Sequence, residues 1–185
     1  MEMMDVLRKR RAVRDYTDAR VEAVTVERLI KAATLAPSAV NQQPWEFVAL
    51  LDRKRIDEYA ERAKKWLLEN LDEVGFGAFR QMIEDPSYSL FYHAAGLVLI
   101  VAKSENRQAA EDCCLAAENL MLAARDEEIG TCWIGLARPW LNLTSIKKEL
   151  GLPEKSHVVA PIVLGYARAW PETPGRNLPE IHWLG

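Results

Sequence analysis

The chain has 185 residues, a formal charge of −3, and 49% hydrophobic against 28% charged side chains. Those proportions fit a single globular domain over 1–185, and they exclude wholesale disorder and any global attraction to nucleic acid or anionic lipid. Three cysteines form no even disulfide framework, no apolar run reaches the ~20 residues that span a bilayer, and the N-terminal stretch has no signal-like apolar core, so a cytoplasmic protein without a membrane partner is expected.

Residues 3–11 read as a short helix that runs into Arg8-Lys9-Arg10-Arg11, with Arg14 just beyond. Thr25 reads as the N-cap of a second helix, in which Val26, Leu29, Ile30 and Ala33 recur at helical spacing until Pro37 stops it. The loop 37–44 is flanked by prolines, and the short aromatic run 45–51 reads as a strand. Asp52 is placed to cap an amphipathic helix whose apolar stripe is Ile56, Tyr59, Ala60, Ala63 and Leu67. Residues 72–93 read as irregular and aromatic, and 94–102 as a central strand buried on both faces.

The longest helix is expected over 107–128. Its polar positions Glu111, Glu118 and Arg125, with Asp112, Asn119 and Asp126 beside them, form one narrow wet stripe. The rest is Ala, Cys, Leu and Met, which predicts a central or subunit-interface helix. A Gly-bounded strand at 129–135, a short helix at 145–150 closed by Gly151 and Pro153, and an apolar strand at 158–166 precede a Pro-rich tail. The order of elements suits an α+β or layered α/β domain better than a doubly wound sheet.

Several chemistries have no support. His93, His157 and His182 are far apart and make no ligand spacing with the cysteines, so no metal site is expected. There is no nucleophile elbow, phosphate-binding P-loop or dinucleotide fingerprint.

Three segments do carry a signal. In Arg10-Arg11-Ala12-Val13-Arg14 the guanidinium forks suit a phosphate, although a solvated basic helix end reads the same way. In Pro37-Ser38-Ala39-Val40-Asn41-Gln42-Gln43-Pro44 small residues and carboxamides suit a flat heteroaromatic ring, or simply a helix-to-strand turn. In Gly130-Thr131-Cys132-Trp133-Ile134-Gly135 the glycines let backbone N–H groups approach a ligand, or end a core strand.

In order and wording these segments resemble the nitroreductase family. The Arg-Arg-x-x-Arg start, the Ala36–Trp45 motif, Ala116-Ala117-Glu118-Asn119-Leu120, the 130–135 segment, Ala160–Tyr166 and the Arg176-Asn177-Leu178-Pro179 tail cover nearly the whole chain. The resemblance implies an α+β fold with a central, mainly antiparallel sheet flanked by helices. It also implies an intertwined homodimer with FMN at the subunit interface, and NADH or NADPH as transient co-substrate.

By carry-over Arg10, Arg11 and Arg176 hold the FMN phosphate and ribityl chain, and Arg14 meets the pyrimidine edge. Ala12 stands where the family often has a serine. Pro37, Ser38, Ala39 and Asn41 line the ring of the partner's flavin, and the N–H groups of Ile134 and Gly135 face N5 and O4. The flavin N5 carries the chemistry and no side chain is catalytic. Electrons pass in a ping-pong cycle to a nitroaromatic or quinone, and residues 66–93 shape the pocket. The motifs leave open another acceptor (enal reduction, flavin reduction, dehalogenation) and a non-catalytic flavin-binding protein.

Overall fold

A computed structural model describes residues 1–172 and 175–185. In chain order its elements are α1 (Met3–Lys9), α2 (Ala23–Ala33), β1 (Trp45–Leu50), α3 (Arg53–Asn70), α4 (Arg80–Glu84), β2 (Gly96–Ala102), α5 (Arg107–Asp126), β3 (Ile129–Trp133), α6 (Arg138–Leu141), α7 (Thr144–Glu149) and β4 (His157–Tyr166). The strands form one antiparallel sheet in the order β1-β2-β4-β3, so the architecture is α+β.

The apolar run at 94–102 dictates the centre of this arrangement. Every residue of β2 is buried, and alternation sends its side chains to opposite faces. Leu97, Leu99 and Val101 pack with Ile56, Tyr59, Ala63 and Leu67 of α3 and with Trp140 and Leu141 of α6. Val98, Ile100 and Ala102 pack with Leu29 of α2 and with Cys113, Ala116, Ala117 and Leu120 of α5.

β4 keeps the same two-sided pattern only by means of a bulge. Its pairing to β2 jumps from Ala160 to Val158 between Ile100 and Val101, and the extra residue puts Val159 and Ala160 together on the α5 side. Pro161 is tolerated in this inner strand because it lies just past the last β3–β4 pair, Trp133 with Ile162. A missing donor there removes no bond of the regular ladder.

Helix boundaries follow the strongest local contacts rather than the nearest capping letter. Asp52 caps α3 as expected, its Oδ1 accepting from Lys54 N and Arg55 N at 3.0 and 3.4 Å. Thr25 is not the N-cap of α2. That position belongs to Glu22, and Thr25 is buried within the first turn. Val21, just outside the helix, and Val26, one turn inside it, share one hydrophobic cluster, a staple that starts the helix three residues before the hydroxyl.

α1 ends at Lys9, with Arg10 already extended, short of the expected 3–11. α5 ends at Asp126 rather than 128. The expected wet stripe on α5 is also corrected. Asp112 and Arg125 are buried, and Arg125 lies 3.8 Å from the Trp170 ring centroid as a cation–π pair. Glu111 and Asp126 are exposed as expected, Glu118 and Asn119 are half-buried, and Cys114 and Leu115 join the outward face.

β3 stops at Trp133, so 134–135 leave the expected strand for a turn that leads into α6. α6 has no counterpart in the sequence reading, although Pro139 in its first turn is a helix-start signal. Residues 72–93 include a helical turn at Gly77–Phe79 and α4, so they are not wholly irregular. No helix among the described residues is long and apolar enough to cross a membrane.

Candidate functional site

The arginine segment is held against the sheet edge by backbone bonds on both sides. Ala12 bridges to Thr131, Val13 N–H donates to Thr131 O, and Thr17 N–H donates to Tyr166 O, each bond 2.9 Å. Two glycines make this seat possible. Gly130 and Gly165 are cross-strand partners. A Cβ on Gly130 would stand 2.8 Å from the Val13 side chain, and one on Gly165 would stand 2.8 Å from the Tyr16 ring. Val13 and Tyr16 are therefore buried anchors, and the Tyr16 hydroxyl donates to Val13 O at 2.7 Å. Gly130 serves packing. Gly135 does not, since a Cβ there would meet nothing within 4 Å.

The exit from β3 lies beside this segment. Of the two amides expected to face a ligand, that of Ile134 is spent inside the sheet, donating to Pro161 O at 2.8 Å. Gly135 opens the following turn, where helical geometry leaves its N–H without a partner in the turn itself.

A pocket of about 790 Å³ opens where Arg14, Cys132, Ile134 and Gly135 meet. Its far walls are Phe76, Phe79, Met82, Tyr88 and Tyr92, from residues 72–93, with Arg138 from the start of α6. Lys64 of α3 fixes that aromatic wall by donating to the carbonyls of Asp85 and Tyr88, each at 2.8 Å. Arg53 adds a bond to His93 O at 3.0 Å, behind a turn in which Tyr92 and His93 both have positive φ. Tyr88 and Tyr92 pack edge to face at 5.8 Å.

The pocket is apolar with two guanidinium groups, and no carboxylate or imidazole is among its described lining residues. Burial pushes the Cys132 thiol up from its ordinary range, against the pull of Arg14. Burial also raises Tyr88, helped by its hydrogen bond with Tyr92. Both groups stay neutral near pH 7. The protein thus offers a shaped, cationic, apolar pocket with no carboxylate or imidazole at its described walls.

Arg10 and Arg11 flank this region on the α5 side. Arg10 lies 3.5 Å from Glu118. Arg11 donates to Arg10 O through Nη1, and its buried Nε has no hydrogen-bond partner.

The loop 37–43 contributes nothing to the pocket walls of its own chain. It is nonetheless closely held. Ser38 Oγ accepts from Gln43 N at 3.0 Å, and the carboxylate of buried Asp112 accepts from Ala39 N at 3.3 and 3.4 Å. Val40, Asn41 and Gln43 all have positive φ, at 44°, 56° and 47°. For the β-branched and 89% exposed Val40 this is a strained conformation that its own packing does not explain. Pro37 and Asn41 are exposed.

The chain matches the family model described as "Nitroreductase family" over residues 7–166. The chain belongs to the nitroreductase family. One relative, named "Putative NADH dehydrogenase/NAD(P)H nitroreductase" in Archaeoglobus fulgidus, is 30% identical and covers 90% of this chain and 86% of its own. A second relative, a "4-nitrobenzoate reductase" of Nocardioides sp., is 24% identical, covering 89% of this chain and 80% of its own. A crystal structure of a nitroreductase with bound FMN from Bacteroides fragilis superposes with a TM-score of 0.87 at 26% identity, covering 100% of both chains.

Within the nitroreductase fold the residues read from sequence fall into three groups. Arg14, Ile134 and Gly135 share the pocket, with Arg10, Arg11 and Ala12 on the strip of backbone leading to it. Pro37, Ser38, Ala39 and Asn41 form a separate exposed or half-buried loop. Arg176 lies in the exposed tail and donates to Gly175 O at 2.8 Å. No hydrogen bond or ion pair among the described residues joins it to the arginine segment.

Sequence reading missed Asp112 and Arg138, whereas the aromatic wall falls inside the 66–93 segment expected to shape the pocket. Asp112 had a detectable signal as a carboxylate one helical step from Cys113 and Ala116 on an otherwise apolar face. Arg138 had none.

Proposed function

We propose that this nitroreductase-family protein is an FMN-dependent oxidoreductase that passes electrons from NADH or NADPH to a small aromatic or quinone acceptor. The observation that carries the reading is the convergence of the Arg10–Arg14 strip and the open Gly135 turn on one aromatic pocket lined by no carboxylate or imidazole among its described residues. An enclosure whose Cys132 thiol and Tyr88 phenol are neutral and whose described walls hold no carboxylate or imidazole suits chemistry brought by a bound group, and the residues present fit FMN. The unpartnered, buried Arg11 Nε beside Arg10 suits a phosphate. Arg14 supplies positive charge at the pocket edge. Gly135 lets a flat ring reach the backbone where a side chain would stand in the way.

When bound, FMN supplies a ring that takes a hydride from the nicotinamide and passes electrons on. The chain's own residues bind and orient. Arg10 and Arg11 hold the phosphate end, Gly135 donates its amide to the ring edge, and the aromatic wall excludes water and presents one face to whichever substrate stacks there. One pocket of about 790 Å³ serves both substrates in turn, which is a ping-pong order.

The unit at work is the whole chain, 1–185, paired with a second copy in a reducing, cytoplasmic setting. Support for the pair comes from apolar side chains left outside: Met3, Met4 and Leu7 on α1, Leu115 on α5, and Leu178 and Trp183 in the tail, all 46–93% exposed. The strained loop carrying Pro37, Ser38, Ala39 and Asn41 then serves the partner's ring, and Arg176 in the tail serves a phosphate.

The double variant Arg10→Ala with Arg11→Ala tests this reading. Two charge-assisted contacts at about 1.5–3 kcal/mol each predict at least a roughly 100-fold weaker FMN affinity. The circular-dichroism melt is expected to stay close to wild type. Wild-type protein that stays colourless after incubation with FMN, or a variant that retains full flavin affinity, would overturn it.

A further inference from the structure

We propose that Tyr92 is a positioning residue for Arg14: the phenol fixes the guanidinium at the pocket, where its charge favours the reduced flavin over the oxidised one. The inference rests on the FMN oxidoreductase reading and adds to it the residue that aims the charge.

Arg10, Arg53 and Arg62 each meet a carboxylate, from Glu118, Asp18 and Glu149. Arg14 meets none among the described residues. Its side chain is hydrogen-bonded to Tyr92 and to Cys132, and all three line the same pocket. A carboxylate orients a guanidinium and cancels most of its charge. A phenol oxygen and a thiol orient it and leave the charge standing. Arg14 is exposed, so the donors that these two side chains do not use are open to a ligand in the pocket. Its charge also acts on the pocket walls. Burial pushes the Cys132 thiol and the Tyr88 phenol up, and Arg14 pulls both back.

Tyr92 reaches this place through a strained turn. φ is 53° at Tyr92 and 50° at His93, a left-handed pair that bulky side chains seldom adopt. Fully buried Phe91 and Ala94 anchor the turn on both sides. Tyr92 N–H donates to Ser89 O at 3.1 Å, and Lys64 and Arg53 grip the carbonyls of Tyr88 and His93. The Tyr88 ring closes edge to face on Tyr92, and the two side chains are hydrogen-bonded.

The Arg14 backbone is fixed independently, by the buried side chains of Val13 and Tyr16 and by the Val13 bond to Thr131 O. The two partners therefore stand on separate supports, and the oxygen at the end of the Tyr92 ring joins them. Reduced flavin carries more negative charge than oxidised flavin, so a fixed cation beside the ring binds the reduced form more tightly. A guanidinium left to sample its many rotamers loses part of that effect.

FMN-loaded Tyr92→Phe keeps the ring and removes only the oxygen. It is expected to bind oxidised FMN within about 3-fold of wild type and reduced FMN about 10-fold more weakly. That difference lowers the two-electron midpoint potential by about 30 mV, read by equilibration with a redox dye. Tyr88→Phe, one step further from the cation, is expected to lower it less. In an Arg14→Gln background the Tyr92→Phe step should no longer move the potential, because the phenol acts through the cation it holds.

An unchanged potential in Tyr92→Phe, including one in which both redox forms of FMN bind equally more weakly, overturns the proposal. So does a Tyr92→Phe step of full size in the Arg14→Gln background, since the hydroxyl then meets the flavin itself. A potential that falls as expected, in a flavin that neither NADH nor NADPH reduces, sinks the oxidoreductase reading and sustains this one. A flavin that either nicotinamide reduces normally, but whose potential ignores the loss of the oxygen, does the reverse. Wild-type protein that takes up no FMN overturns both.

Discussion

The two faces of the sheet solve opposite problems. On the α3 face the chain seals itself with large side chains. Tyr59, Leu67, Phe91 and Leu99 are all at most 1% exposed, and Tyr59 and Trp140 meet edge to face at 5.5 Å. On the α5 face the packing side chains are small, with Ala109, Cys113, Ala116, Ala117 and Ala124 on the helix that lies against the sheet. The outer side of that layer stays apolar and open, with Leu7 and Leu115 each 46% exposed.

The closed face supplies stability from one chain's own residues. The open face carries the positive-φ loop at Val40, Asn41 and Gln43, the unpartnered Arg11 Nε and the uncovered leucines. Marginal stability leaves little to spend on such features unless a partner or ligand offsets them.

The contrast breaks most sharply at those leucines. Leu7→Lys with Leu115→Lys changes two side chains that the folded monomer leaves in solvent, so its thermal melt should hardly move. If α1 and α5 form the subunit interface, burial of each leucine contributes about 1.5–3 kcal/mol. Like charges then face each other across a two-fold, so the dimer should weaken at least about 100-fold. Sedimentation velocity reads this directly, and flavin occupancy should fall with it. A variant that remains dimeric and yellow would show that the open face is covered in some other way.

The same contrast explains which parts of the protein the sequence made legible. β2 was readable because unbroken apolar runs have one physical meaning, burial on both faces. α3 was readable because Asp52 and its stripe are local. The Arg10–Arg14 strip and the Gly135 turn carry local chemistry and stood out.

What failed was non-local. Thr25 looked like a cap because the local Val21–Val26 staple that overrides it gains its weight only from burial against Cys113 and Leu120 of distant α5. Asp112 and Arg125 looked wet because their partners, the Ala39 amide and the Trp170 ring, lie more than forty positions away in the chain. Gly130 looked like a ligand-facing glycine because nothing nearby in sequence shows that Val13 will occupy the space above it. Arg138 carried no signal, since an arginine beside a proline is ordinary until a pocket forms around it.

A second, smaller test falls on the tie between α5 and the strained loop. Asp112 is 2% exposed and accepts from Ala39 N and from Gln108 Nε2, the latter at 3.2 Å. Asp112→Ala orphans the Ala39 donor where water is scarce, and should cost about 1–3 kcal/mol. Asp112→Asn keeps an acceptor and should cost less. Hydrogen exchange at Ala39, Val40 and Asn41 should accelerate in the alanine variant while β2 amides stay protected. If global stability falls with no local change in exchange, the carboxylate supports the core and not the loop.

The smallest effect belongs to the rim of the closed face, where α3 meets α7. Arg62 grips Glu149 with two bonds of 2.9 and 2.7 Å and lies over the Tyr59 and Trp140 rings. That grip, with a lesser contribution from Tyr59, holds the Glu149 carboxyl at about 2, well below the usual 4.5. A carboxyl with a lowered folded-state pKa adds stability above its unfolded value. The contribution fades as pH falls from about 4.5 to about 2, because the unfolded chain binds the proton first. Its size is small, because the Glu149 side chain is 37% exposed and solvent screens the pair, leaving less than about 1 kcal/mol. Glu149→Gln should therefore lower the denaturation midpoint slightly at pH 7, and its urea curve should merge with that of wild type near pH 2. A constant gap across that range would mean that the side chain matters here for its packing beside Tyr59 and not for its charge.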